Sequence, residues 1–156
     1  MLIQPILDGK ANVVYGTRFA HGLPKAMALP NKVVNVLLAL SVAILYFHKI
    51  TDEATCYKVF RRSLLEQVQL DCRRFEFCPE VTAKLSRLGE KIHEVPISYH
   101  PRNQEQGKKI RHSDGWLAIW TLIHLRFARR GRLLRLREQQ VDTPPFPVAF
   151  SRLPPR

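Results

Sequence analysis

The run from Val33 to Phe47 is mostly apolar, interrupted by Asn35 and Ser41, and it constrains the fold more than any other stretch. A helix that crosses a bilayer needs about 20 apolar residues, roughly 18 at the least. This run is shorter, with Lys32 before it and His48-Lys49 after it. The expectation is therefore a buried core helix rather than a membrane span. A chain of 156 residues with 46% hydrophobic content has the size and apolar content for one ordinary domain around such a helix.

The segments before that run read as pieces of an α/β unit. Met1 to Lys10 reads as the end of a helix closed by Gly9, and Ala11 to Tyr15 as a short buried strand. Beginning in mid-helix suggests a fragment. The strand runs into Gly16-Thr17-Arg18, and in open α/β sheets ligands collect beyond the carboxyl ends of strands. Arg18 then points at a ligand crevice, or is a surface arginine after a strand. Residues 20–32 form a connection punctuated by Gly22, Pro24 and Pro30, kept basic by Lys25 and Lys32.

After the apolar run comes the densest chemistry in the chain, Thr51-Asp52-Glu53-Ala54-Thr55-Cys56-Tyr57-Lys58-Val59-Phe60-Arg61-Arg62. An acidic pair, two threonines, a thiol and three cations follow one another here, and Tyr57 to Phe60 has strand character. Charged turns are common, so the stretch is either one wall of a site or a solvated turn. A helix is expected from Ser63, with Ser63 and Glu66 as a capping box. Another is expected around Pro79-Glu80, ended by Gly89. Lys91 to Tyr99 alternates as a strand, with Pro96 placing it at an edge or bulge. His100 to Arg111 is a basic loop around Gly107, in which Lys108, Lys109 and Arg111 either cradle phosphate oxygens or sit in solvent.

Ser113 and Asp114 can cap a helix from about residue 115 to 130, with Trp116, Ile119, Trp120, Ile123, His124 and Phe127 at helical spacing. Such a helix suits a membrane interface or the side of a domain. The proline-rich stretch from Val141 to Arg156 is expected to be extended or disordered.

A formal net charge of +12 attracts anions: nucleic acid, acidic lipid surfaces or phosphorylated substrates. No nucleic-acid-binding motif accompanies it, so no nucleic-acid partner is expected. Cys56, Cys72 and Cys78 form no even framework and no CxxC, and no signal peptide is visible, which reads as reduced thiols in a cytoplasmic protein. The sequence contains neither a glycine-rich nucleotide loop nor an Asp-x-Asp pair. Acid–base chemistry from Asp52, Glu53, Glu76 or Glu80, and phosphate binding by Arg18, Lys58, Arg102, Lys108 and Lys109, remain.

Several segments in series then resemble one family. Ala11 to Phe19 looks like the "ADVVYGSRF" strand of family 2 glycosyltransferases, the inverting enzymes of the polyprenol-phosphate sugar synthase type. Thr51 to Arg61 is similar to their "TDxxTCYKxFR", and Phe75 to Lys84 to "FEFxPEVTAK". Glu94 to Tyr99, Arg102, Gly107 to Ile110 and Asp114-Gly115 are similar to "EVPISYxPR…GKKIxxxDG". The resemblance covers residues 1 to about 130. It implies an α/β fold, the second half of a GT-A (Rossmann-like) domain.

By that resemblance residues 1–112 are a partial catalytic domain, the acceptor half. Residues 113–137 form an amphipathic basic helix region at a membrane interface, and 138–156 a disordered tail. A complete member transfers a sugar from a nucleotide-sugar, with Mg²⁺ or Mn²⁺, to a polyprenyl phosphate or similar lipid-phosphate acceptor. The resemblance puts Asp52 beside the reacting centre, orienting the acceptor or accepting a proton, and Arg18 on acceptor phosphate. Arg102 with Lys109 would form a lid over the diphosphate, with Lys108 a further phosphate-binding candidate after the lid glycine. Lys25 stands nearest to a cation that members carry before the apolar helix, Lys58 is a further phosphate contact, and Glu53, Glu76 and Glu80 are acceptor-side or structural. The metal motif belongs to the half this sequence lacks, so the implied protein is truncated, inactive alone, binds no metal by itself, and is cytoplasmic or peripheral on the inner face of the membrane. A non-catalytic basic membrane-surface or adaptor module is the alternative.

Overall fold

The computed structural model describes residues 1–24, 27–72, 76–98 and 112–129. Their elements run α1 (Gln4–Leu7), β1 (Val13–Thr17), α2 (Leu29–Tyr46), β2 (Lys58–Phe60), α3 (Arg62–Leu65), α4 (Phe77–Arg87), β3 (Ile92–Pro96) and α5 (His112–Phe127). The result is a mixed α/β arrangement around a small sheet of order β2-β1-β3.

β1 is the middle strand. It pairs antiparallel with β2, Val13 opposite Phe60 and Tyr15 opposite Lys58, and parallel with β3, Val13 opposite Ile92 through Thr17 opposite Pro96. All five of its residues are buried, as suits β-branched and aromatic side chains covered on both faces. Pro96, which has no N–H to give to a ladder, closes β3 at the edge of the sheet, as its position in the sequence implied.

Two apolar clusters meet at α4. Val13, Tyr15, Leu64, Val68, Val81 and Leu85 join the sheet to α3 and α4. Leu38, Val42, Tyr46, Ile50, Ala83, Ala118 and Leu122 join α2, α4 and α5. The buried helix of the fold is therefore α4, in which every residue from Pro79 to Leu85 is buried. That corrects the expectation for α2. Only Asn35, Leu38, Val42 and Tyr46 of α2 are buried, at spacings of one helix face, while Leu29, Val33, Val36, Leu37, Leu40 and Ile44 are exposed. α2 also begins earlier than the apolar run, with Pro30 in its first turn, and spans 18 residues. By length and composition alone it could cross a membrane, and 22% of it is buried in this fold.

The capping box expected at Ser63 is not formed. α3 is a single turn whose N-cap is Arg61, and Glu66 accepts from Arg62 Nε at 2.7 Å. α4 ends as expected, with Gly89 at φ 84 just past it. α5 lies against α2 and α4 and is tied to both: Tyr46 Oη donates to the Leu122 carbonyl at 2.6 Å, and Arg87 Nη1 to those of Leu125 and Ala128 at 2.7 and 2.6 Å. Trp116, Trp120 and Phe127 face outward. The basic loop and the proline-rich tail lie outside the described residues.

Candidate functional site

The site is built where β1 ends. Beyond Thr17 the chain leaves the sheet, and the turn at Thr51-Asp52 comes up beside it. The two are joined by a 2.6 Å hydrogen bond between the hydroxyls of Thr17 and Thr51. Asp52 is fully enclosed, and both of its carboxylate oxygens are engaged by Arg18. Arg18 Nη2 donates to Oδ1 at 2.6 Å, Nε to Oδ2 at 2.6 Å, and the Arg18 backbone N–H to Oδ2 at 3.0 Å. This planar two-point match between guanidinium and carboxylate fixes the arginine's direction as well as its distance. Asn35 on α2 adds a long contact, Oδ1 accepting from Nη2 at 3.4 Å, and Arg18 lies 5.3 Å from the centre of the Phe19 ring.

Glu94 on β3 holds the turn from the other side. Its carboxylate accepts from the Thr51 backbone N–H at 2.9 Å, the Thr51 hydroxyl at 3.1 Å and the Asp52 backbone N–H at 3.0 Å. The side chain thus works as a ready-made cap for a turn with no ladder partner of its own. Glu94 was given no role from the sequence. An acidic residue in mid-strand, between His93 and Val95, was the available signal.

The next carboxylate, Glu53, has different partners. Glu53 is fully buried; Oε1 accepts from the Thr82 hydroxyl at 3.4 Å, and Oε2 has no hydrogen-bond partner among the described residues. Thr82 is hydrogen bonded to Tyr15 Oη at 2.9 Å. Burial pushes the Glu53 carboxyl pKa up, against the opposing pull of Lys58. Lys58, expected as a phosphate contact, turns inward: its ammonium donates to the Glu53 carbonyl at 2.7 Å and sits 3.5 Å from the centre of the Tyr15 ring. Burial lowers its pKa, with Glu53 opposing. In this arrangement Lys58 braces the 53–58 turn against the sheet.

The second acidic segment is also structural here. Lys84, 1% exposed in its side chain, donates to Glu80 Oε1 at 2.5 Å, to Asp71 Oδ2 at 3.2 Å and to the Gln69 carbonyl. The Asp71 backbone N–H donates to the same Glu80 oxygen at 2.8 Å. Glu80 and Lys84, one turn apart on α4, thus neutralise each other inside the fold. Glu76 stands at the N-cap of α4 without a side-chain cap hydrogen bond. All three cysteines are free thiols. Burial pushes Cys78 up to about 12 and Cys72 up to about 11, so neither presents a thiolate near neutral pH.

The structure therefore brings Asp52 and Arg18 together and engages Glu53, Lys58 and Glu80 with other partners. Lys25, Arg102, Lys108 and Lys109 lie outside the described residues. Asp52 as placed has no oxygen open to a substrate hydroxyl; what it does is hold Arg18. Arg18, with 18% of its side chain exposed, is the member of the pair nearer to solvent. Among the described residues no group of three His, Cys, Asp or Glu side chains could hold a metal ion, so they do not fit a divalent cation.

No protein-family model and no solved structure matches the chain. Over 117 residues, 74% of its length, the chain is 29% identical to the low-salt glycan biosynthesis hexosyltransferase Agl6 of Haloferax volcanii, and that stretch covers 28% of the archaeal protein. Across most of its own length, then, the chain is similar to a glycosyltransferase, and it spans less than a third of that relative.

Proposed function

We propose that this chain forms the acceptor-side wall of a glycosyltransferase site, in a protein of the family 2, GT-A type that moves a sugar from a nucleotide-sugar to a polyprenyl phosphate or similar lipid phosphate. The observation that carries the reading is Arg18, oriented by the enclosed Asp52 at the carboxyl end of β1. The likeness to a hexosyltransferase supports the reaction class, and the series of family-like segments from Ala11 to Gly115 supports the family. In this reading Arg18 meets the acceptor phosphate, Asp52 positions Arg18, and Glu94 positions the turn that carries Asp52. Arg102, Lys108 and Lys109 close over the diphosphate leaving group. The Mg²⁺ or Mn²⁺ used by complete members would neutralise that diphosphate, and its ligands belong with the nucleotide-binding half, not with the residues described here.

The same reading puts the protein in the cytoplasm, peripheral on the inner face of the membrane. What supports this is the outward apolar side of α2 together with Trp116, Trp120 and Phe127 on α5. That surface also favours the second reading, a basic membrane-surface module without catalysis.

One experiment separates them. The full chain is floated with neutral vesicles that carry or lack undecaprenyl phosphate, and sugar transfer is assayed in the same tubes with nucleotide-sugar and Mg²⁺. The expected result is binding that rises with the lipid phosphate, falls roughly tenfold in Arg18→Gln, and is accompanied by no turnover. Binding indifferent to the lipid phosphate would leave only the membrane-surface module; turnover by the chain alone would overturn the placement of the catalytic centre in another part.

A further inference from the structure

A groove of about 380 Å³ runs between α2 and α5. Leu29, Val33, Val34 and Leu37 line it from one helix, Trp116 and Ile119 from the other. The helices close on each other at Gly115, where a Cβ would lie 3.0 Å from Val34 Cγ1. From Leu29 to Tyr46 every exposed residue of α2 is apolar, and Trp116 and Trp120 are 73% and 63% exposed. A continuous apolar surface of this kind, with a groove in it, marks a docking site.

The chain carries a segment whose chemistry fits. Pro144-Pro145-Phe146-Pro147-Val148-Ala149-Phe150, outside the described residues, is the longest stretch after α5 without a polar side chain. Proline-rich segments dock on aromatic-lined grooves because their extended conformation is preset, so little entropy is lost on binding. Seven residues in that conformation span about 22 Å, close to the length of about 24 Å for the 16 residues of α5.

The tether fits as well. Residues 130–143 lie between the last described residue, Arg129, and the segment. A coil of that length spans about 20 Å, and Trp116 lies about 17 Å back along α5 from Phe127. Intramolecular contact is favoured most when tether and span agree, at an effective concentration on the order of millimolar. A second copy of the chain at micromolar concentration competes poorly with that.

We propose that Pro144 to Phe150 folds back into the groove between α2 and α5, with the prolines and Phe146 against Trp116 and Phe150 further along the same face. The groove is thus a docking site for the chain's own C-terminal segment. Tail and bilayer compete for this face, and the contact itself does not rest on sugar transfer.

Trp116 and Trp120 are the two tryptophans of the chain, so intrinsic fluorescence reports on the groove. Acrylamide quenching of the full chain, without lipid, is compared with that of Phe146→Asp/Phe150→Asp, which leaves both apolar clusters of the fold intact. Leu153→Asp/Pro155→Asp adds the same charge beyond the segment. The first pair is expected to steepen quenching about twofold and move the emission to longer wavelength, and the second to match the native chain. Native quenching should also be independent of protein concentration in the micromolar range. Equal quenching in the native chain and Phe146→Asp/Phe150→Asp, or an equal rise in Leu153→Asp/Pro155→Asp, would overturn the proposal. Protection that grows with protein concentration would give the groove to a second copy instead. Protection that appears only when phosphatidylcholine vesicles are added would give it to a bilayer, and either result also overturns the proposal.

Discussion

Glu53 and Asp52 are neighbours in sequence with opposite electrostatic surroundings. Asp52 has a guanidinium on both oxygens, whereas Glu53 is enclosed with one oxygen unpaired among the described residues and a pKa that burial raises. A carboxyl whose folded pKa lies above its ordinary value of 4.5 contributes its full stability below that value and loses it as pH rises through the folded pKa. Glu53→Gln cannot ionise, so it is expected to match the native protein at acid pH and to exceed it increasingly as pH rises. Urea unfolding at a series of pH values measures this, and a constant offset would refute it. The Asp52 pair behaves differently. Arg18→Gln leaves a fully enclosed charge without its partner and is expected to destabilise by about 3 kcal/mol. Adding Asp52→Asn should recover part of the loss, because the orphaned charge goes with it; a double variant less stable than Arg18→Gln alone would contradict the assignment. Arg18 was legible in the sequence as the arginine just beyond a strand end. That Asp52 would be sealed beneath it was not, because enclosure depends on α2 and β3 arriving from distant parts of the chain.

The strands were legible as elements because β-branched and aromatic residues alternate with turn signals: Lys58 to Phe60 and Ile92 to Pro96 fall inside expected runs, whereas Val13 to Thr17 continues two residues past Tyr15, where the strand was expected to give way to a turn. The helices were legible in position but not in burial. Apolar content pointed to α2 as the buried helix, whereas α4 is enclosed although it carries Glu80 and Lys84. A charged pair one turn apart can be buried when each partner neutralises the other and both find further donors or acceptors, and no average over the sequence reports that. The packing of β1 also reaches a point that allows no side chain. A Cβ on Gly16 would lie 2.8 Å from Ile97 Cγ2 and 3.0 Å from Tyr57 Cβ. Gly16→Ala must push apart the segments that carry the site and is expected to cost about 1–3 kcal/mol, read as a shift of the denaturant midpoint. An unchanged midpoint would mean that these segments are not held together there.

For the molecule as a whole, the +12 charge and the family-like segments were readable from the sequence, and together they raised the expectation of phosphorylated substrates. The surface that α2 and α5 share was not, since it arises from two helices well separated in sequence, of which α2 alone reads as core and α5 alone as an amphipathic helix. The distance between paired segments also governs how the molecule comes into being. β1, wholly buried in the finished sheet, lies parallel to a strand that begins at Ile92. At ribosomal rates of about 5–20 residues/s, β1 must wait on the order of 4–16 s for that strand to be synthesised. The strand is made well before the partner that closes it, so nascent chains arrested before Ile92 should stay open to protease at Val13 to Thr17, and those released after Pro96 has emerged should not. For those seconds the newborn protein displays an uncovered adhesive strand, and its yield in a cell depends on what shields that strand during synthesis.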